Sequence, residues 1–416
     1  MTDISAAPVR PANQRIGMFE FIFLIASLMS IVALAIDAVL PALGFMAKDF
    51  AVSTSEIQMI LTGLFAGFAL GQLIYGPLSD RIGRLPGIYL GMLVFAVGCG
   101  IVLSAETLEV AVLGRILQGI GASGPRIIVS ALARDCFEGR AMARVMSFAG
   151  TVFMIVPILA PMVGQVILWY APWEYIFVMY IFFALVLSLW TWLRLTETLM
   201  PENRRSIHPK ALWQALLTVL SNRVAAGYTV VSGMVFGGFL GYLSSSQVLF
   251  QEIYGVGDAF PLYFSLLVFP NVVSSFLNAK LVMRWGMYRL VQWTNVMVMV
   301  LSSCLYLYAI QVDGVPPLMH LMAFLFVIFA GIGFQFGNLN ALAMEPLGKL
   351  AGMGASVVGS GSTIISIPIG AAVGMSVTTS IVPLTIGMAV CALGAVVMMH
   401  WVRFGFAKPV AGGGVI

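Results

Sequence analysis

The chain has 416 residues, 60% of them hydrophobic and only 9% charged, with a formal net charge of +4. An ordinary soluble domain carries about 25% charged residues, so water is excluded as the solvent for most of this chain. The charge balance itself needs no nucleic-acid partner, because membrane topology accounts for it.

Apolar runs of about 20 residues follow one another from Met18 to Arg403, each long enough to cross a hydrocarbon core as a helix. In chain order they cover 18–40, 55–76, 87–104, 108–132, 142–168, 174–195, 224–250, 260–282, 287–310, 317–342, 352–380 and 382–403. They are apolar all round, whereas a membrane β-strand alternates over about 10 residues. The first run is too long for a cleaved signal peptide, lacks a small-residue cleavage pattern and carries Asp37, so the amino terminus is expected to stay in the cytoplasm. With that placement, eighteen of the 21 Lys and Arg residues fall on the cytoplasmic side. Lys48 alone falls outside, and Arg115 and Arg126 lie within spans. Such an asymmetry would collapse if one span were missed or invented midway. The expectation is an all-α polytopic membrane protein of twelve transmembrane helices with both termini cytoplasmic.

The longest polar stretch between the termini follows the sixth span and divides the chain six plus six. This gives a cytoplasmic tail over 1–17, a first six-helix bundle over 18–195, a cytoplasmic linker over 196–223, a second bundle over 224–403 and a tail over 404–416. GIGASGPRIIVSALARD from Gly119 has an echo in GIGFQFGNLNALAMEPL from Gly331, and Gly150 and Pro157 answer to Gly361 and Pro368. Two pseudo-symmetric bundles of this kind suit a transporter that exposes a central site to either side. Cys99, Cys304 and Cys391 lie within spans and Cys136 in a cytoplasmic loop, so no external disulfide framework is expected. His208, His320 and His400 are scattered, which gives no support for a metal site. A GxxxxGK[ST] phosphate loop is absent, so no nucleotide-driven motor and no cofactor are expected.

Four stretches carry charge or breakers where apolar sequence would do. Span one ends LAIDAVLPAL, which places Asp37 within the span, about five residues from its outer end. The loop YGPLSDRIGR joins spans two and three; Asp80 there can pair with Arg81 or Arg84 or cap a neighbouring helix, and Gly83 permits a tight turn. A solvated loop that merely fixes topology is the alternative. RILQGIGAS in span four puts Arg115 in the membrane, where it faces protein or water unless it snorkels to the nearby headgroups. Arg126 follows eleven residues later, on the same helical face and about 16 Å deeper. It binds an anionic or carbonyl-bearing substrate, or it neutralises backbone carbonyls freed by Pro125; both readings stay open. In span five, Gly150, Pro157, Pro161 and Gly164 mark a bent helix that another helix can approach closely, although ordinary packing asks for the same residues.

These stretches resemble the major facilitator superfamily, and within it the twelve-helix drug:proton antiporter branch of the bicyclomycin and chloramphenicol resistance type. Gly76, Leu78, Asp80, Arg81, Gly83 and Arg84 match its GxLxDRxGR loop, with Leu85 departing from the usual basic residue. Arg115, Gln118, Gly119 and Gly121 match RxxQGxG, and Asp37, Leu40 and Pro41 match DxxLP. Span five resembles the antiporter helix, with Ala160 and Gln165 where glycine is common. The resemblance implies the superfamily fold and a secondary transporter, not an enzyme, that exports small, largely hydrophobic drug-like compounds in exchange for protons across the bacterial inner membrane. It further implies the Asp80 loop as a conformational latch between the halves. Asp37 and Arg115 lie at comparable depth in their spans and can line one cavity, which makes them the expected proton-coupling pair. Arg126, Gln118, Met29, Met234, Phe236, Phe239, Tyr242 and Gln247 are the substrate-binding candidates, although such apolar residues also face lipid or neighbouring helices. Expected partners are membrane lipid, protons and small molecules, with the chain acting as a monomer. Two alternatives are a proton-coupled nutrient or metabolite symporter on the same fold and a lipid flippase or polytopic membrane enzyme. Gly63, Gly67 and Gly71, and Gly233, Gly237 and Gly241, have the spacing of helix-packing stripes.

Overall fold

A computed structural model describes residues 16–204 and 209–404, and every regular element among them is helical. Most of the two expected tails, and residues 205–208 of the linker, lie outside the described residues. Twelve helices are long and apolar enough to cross a membrane, the number expected. We label their main segments α1 (Met18–Asp37), α2 (Met59–Ile82), α3 (Arg84–Leu103), α4 (Leu108–Cys136), α5 (Gly139–Tyr170) and α6 (Glu174–Arg194). The second half holds α7 (Arg223–Gln247), α8 (Phe260–Trp285), α9 (Met287–Gln311), α10 (Leu318–Gly333, resuming as Gln335–Met344), α11 (Ala351–Ser376) and α12 (Val382–Phe404).

Helix ends reach beyond several apolar runs, because a helix can carry a charged turn past the hydrocarbon edge. α2 runs on to Ile82 and α3 begins at Arg84, so Asp80 and Arg81 are helical and one residue, Gly83, makes the whole connection. Its φ of +111° is a backbone setting that side chains disfavour. α4 likewise extends to Cys136, placing that cysteine at a helix end instead of in a loop. Part of the linker is a helix, Pro209–Ser221. Its Trp213, Leu217 and Leu220 are exposed along one face while Ala215 and Val219 are buried, a pattern suited to the membrane interface.

The described residues pack as two compact units. One comprises those up to Pro209 together with Ser244–Phe269, and the other comprises Lys210–Leu243 and the residues from Pro270 onward. In the first, α4 lies against both α2 and α3. Small residues make this possible: a Cβ at Gly67 would collide with the Ile116 carbonyl of α4. In the second, Gly233, Gly237 and Gly241 of α7 meet Ile365, Ile369 and Val373 of α11, four-residue steps matched on both helices. Both glycine stripes are therefore packing surfaces.

Candidate functional site

α1 stops at Asp37 and the chain turns through a 3-10 segment, Leu40–Ala42, with Pro41 at its start. A helix end leaves its last carbonyls without intrahelical donors. Here Arg115 of α4 supplies one from another helix, donating Nη2 to Ala35 O at 3.0 Å, while Tyr180 of α6 adds its hydroxyl at 3.1 Å to Leu34 O, which already accepts the Ala38 N–H. Arg115 also donates Nε to Ile60 O of α2 at 3.1 Å and Nη1 to Gln118 Oε1, over the Phe177 ring. Gln118 in turn donates to Cys99 Sγ at 3.0 Å. Arg115 and Gln118 are wholly buried, so this arginine staples α1, α2 and α4 together and does not snorkel.

Asp37 is 5% exposed. The expected ion pair with Arg115 is not formed: the described salt bridges are Arg84–Asp80, Arg84–Asp135 and Arg194–Glu20. The reason is local, since the guanidinium is already taken by Ala35 O, Ile60 O and Gln118 Oε1. Burial without a partner makes the charge on the Asp37 carboxyl sensitive to whatever approaches it. The antiporter-like helix comes to this corner. A Cβ at Gly164 of α5 would collide with the Ala38 carbonyl and lie 3.1 Å from Pro41 Cγ, so only glycine allows the approach. Pro157 and Pro161 lie within the same continuous helix, and Gly150 in its first half faces open space.

Arg126 is half-buried over the Phe153 ring of α5, 5.3 Å from its centroid. It makes no hydrogen bond or ion pair among the described residues, carbonyls beside Pro125 included. Arg115 and Arg126 thus meet different helices despite their common face on α4.

The remaining candidates fall in both units. Met29 is buried in α1. Gln247 belongs to the first unit, donating Nε2 to Glu252 at 3.2 Å. In the second unit, Phe236, Phe239 and Tyr242 join an aromatic ladder with Phe329 and Phe336, with centroids 4.7 Å apart for Tyr242 and Phe329 and 6.0 Å apart for Phe239 and Phe336. Met234 lines a small cavity with Asn295 and Gln335, two buried amides that apolar patterning passes over. Two acids also escaped the sequence reading. Glu252 accepts from Thr54 at 3.4 Å, and Asp258 accepts from Gln165 and Trp169 of α5, each at 3.2 Å.

The Asp80 loop is a network within the first unit. Arg84 donates to Asp80 at 2.5 Å, to Ser79 at 2.9 Å and to Asp135 of α4 at 2.9 Å. Glu197, just past α6, accepts the backbone N–H groups of Arg84 and Leu85 at 2.9 and 3.0 Å and so caps α3. A Cβ at Gly83 would lie 2.5 Å from the Glu197 carboxylate. Gly76 accepts from Ser79 at 3.0 Å, Leu78 is half-buried and Arg81 is exposed.

A family model described as the Major Facilitator Superfamily matches residues 24–371. The chain belongs to that superfamily. As a member it is a multi-pass membrane transporter and not an enzyme. A curated relative from Bacillus subtilis, an uncharacterised MFS-type transporter, is 29% identical over 86% of this chain and 89% of its own. A bicyclomycin resistance protein homolog of Haemophilus influenzae is 27% identical over 94% and 97%, and multidrug resistance protein D of Escherichia coli is 25% identical over 82% and 84%. These names agree with the drug:proton antiporter branch of the superfamily. Among solved structures, the Escherichia coli xylose transporter XylE in a partially occluded inward-open conformation aligns with a TM-score of 0.70 at 12% identity, covering 94% of this chain and all of that one. That likeness concerns the fold of the superfamily alone.

Proposed function

We propose that the chain exports small, largely hydrophobic compounds in exchange for protons, working by alternating access as a monomer in the bacterial inner membrane, without a bound cofactor. The observation that carries this reading is Asp37, a buried carboxyl with no partner among the described residues, at a corner where α1 breaks and α5 arrives on Gly164. A secondary exporter needs one group whose protonation differs between its two facing states. Asp37 supplies it, and Arg115 acts through the corner it holds together. Arg126 supports the substrate side, since a guanidinium with no acceptor among the described residues is available to an anionic or carbonyl oxygen on a ligand. The names of the curated relatives favour drug-like cargo.

The test is export from proteoliposomes under an imposed pH gradient. Asp37→Asn abolishes gradient-driven export while substrate binding in detergent persists, and Arg126→Lys weakens carbonyl or carboxylate ligands more than apolar cations. Export by Asp37→Asn at a near wild-type rate would place the proton site elsewhere. Equal weakening of every ligand by Arg126→Lys, together with lowered thermal stability, would remove the ligand role of Arg126.

A further inference from the structure

The second unit contains a cavity of about 500 Å³ at the ends of α7, α9, α10 and α12. Its charged lining is Arg289, Arg403 and Glu345. Arg403 lies over the Tyr288 ring, 5.7 Å from its centroid, and neither arginine is ion-paired among the described residues. The Tyr288 hydroxyl is buried with no hydrogen-bond partner. Two guanidinium groups thus line one cavity beside a single carboxylate with which neither of them pairs. Glu345 leaves a net single positive charge on the lining, which matches the single negative charge of a phosphodiester.

A second observation identifies the source of that phosphate. Arg289, Trp293, Val296 and Val300 are all exposed and recur at steps of four, three and four, so they form one stripe running from the cavity along α9 into the span. Trp293 packs edge-on against Trp285, an arrangement suited to the headgroup level. A soluble anion would use the arginines and leave the stripe bare, whereas a lipid engages both, with its phosphate on the guanidinium groups and an acyl chain along the stripe. We propose that this cavity binds the phosphate headgroup of an anionic phospholipid.

The proposal is tested on the full chain, purified in neutral detergent and stripped of lipid. Thermal unfolding is followed during titration with phosphatidylglycerol, phosphatidylcholine or inorganic phosphate. Phosphatidylglycerol raises Tm saturably by several degrees, phosphatidylcholine does not, and inorganic phosphate at equal concentration has a far smaller effect. Arg289→Ala with Arg403→Ala raises the half-saturating concentration of phosphatidylglycerol at least tenfold, while Lys280→Ala leaves it unchanged. Equal stabilisation of the double variant and the wild type would overturn the site. A full response to inorganic phosphate would make it a free-anion site and overturn the lipid assignment. If the double variant does not fold, Arg289→Gln takes its place, alongside native mass spectrometry of the wild type. Loss of selectivity for phosphatidylglycerol over phosphatidylcholine in Arg289→Gln supports the site, and retention of both phospholipids to the same degree by the wild type refutes it.

Discussion

Two arginines near helix ends, Arg84 in the first unit and Arg403 in the second, are treated in opposite ways. Arg84 is 7% exposed and meets Asp80, Ser79 and Asp135, while Glu197 covers the start of its helix. Arg403 is exposed, touches a ring and lines an open cavity. The difference follows from the acids. The first unit brings two carboxylates, Asp80 and Asp135, to its guanidinium and a third, Glu197, to its backbone N–H, whereas the second brings Glu345 to the lining without an ion pair among the described residues. A guanidinium answered by carboxylates closes the protein on itself, and one left unanswered holds open a place for something else.

The sharpest way to break this contrast is Arg84→Ala. It strands the Asp80 and Asp135 carboxylates together and should cost about 3 kcal/mol, read as a lowered Tm in detergent. A loss below about 0.5 kcal/mol would mean that the network is surface decoration. Next is Glu197→Gln, which keeps the shape of the cap but removes its charge from the start of α3. The expected loss is about 1 kcal/mol, larger at low salt than at high, and a salt-independent Tm would show that the charge is not what caps the helix. Arg403→Ala should be smallest, within about 0.5 kcal/mol in neutral detergent, because no carboxylate among the described residues pairs with it. A loss as large as that of Arg84→Ala would make the two arginines alike after all.

The twelve spans were legible because hydropathy over about 20 residues is a signal no turn can imitate. The glycine stripes were legible for a similar reason, since their four-residue spacing is helical arithmetic. The partners of the charged groups were not. Asp80 could be matched to Arg84 from four residues away, but Asp135 and Glu197 lie 51 and 113 residues further on and nothing local points to them. Arg115 was read as the partner of Asp37 because opposite charges at similar depth invite pairing. Where α1 would break, and which carbonyls the break would strand, depends on how Leu40–Ala42 turns, and only the fold shows it. The helix Pro209–Ser221 was hidden inside a stretch judged by its polar residues, although Trp213, Leu217 and Leu220 already had helical spacing.

Ser244–Phe269 comes from the second half of the chain yet completes the first unit, with Asp258 receiving Gln165 and Trp169, and Ser265 donating to Ile158 O at 2.7 Å. Order of synthesis therefore matters. Domains tend to fold as units while the chain emerges, at about 5–20 residues per second. This first unit, begun at Met18, is finished only after Phe269 has left the ribosome. A chain halted in the linker would leave the amide of Gln165 and the indole of Trp169 waiting for an acceptor still to be made.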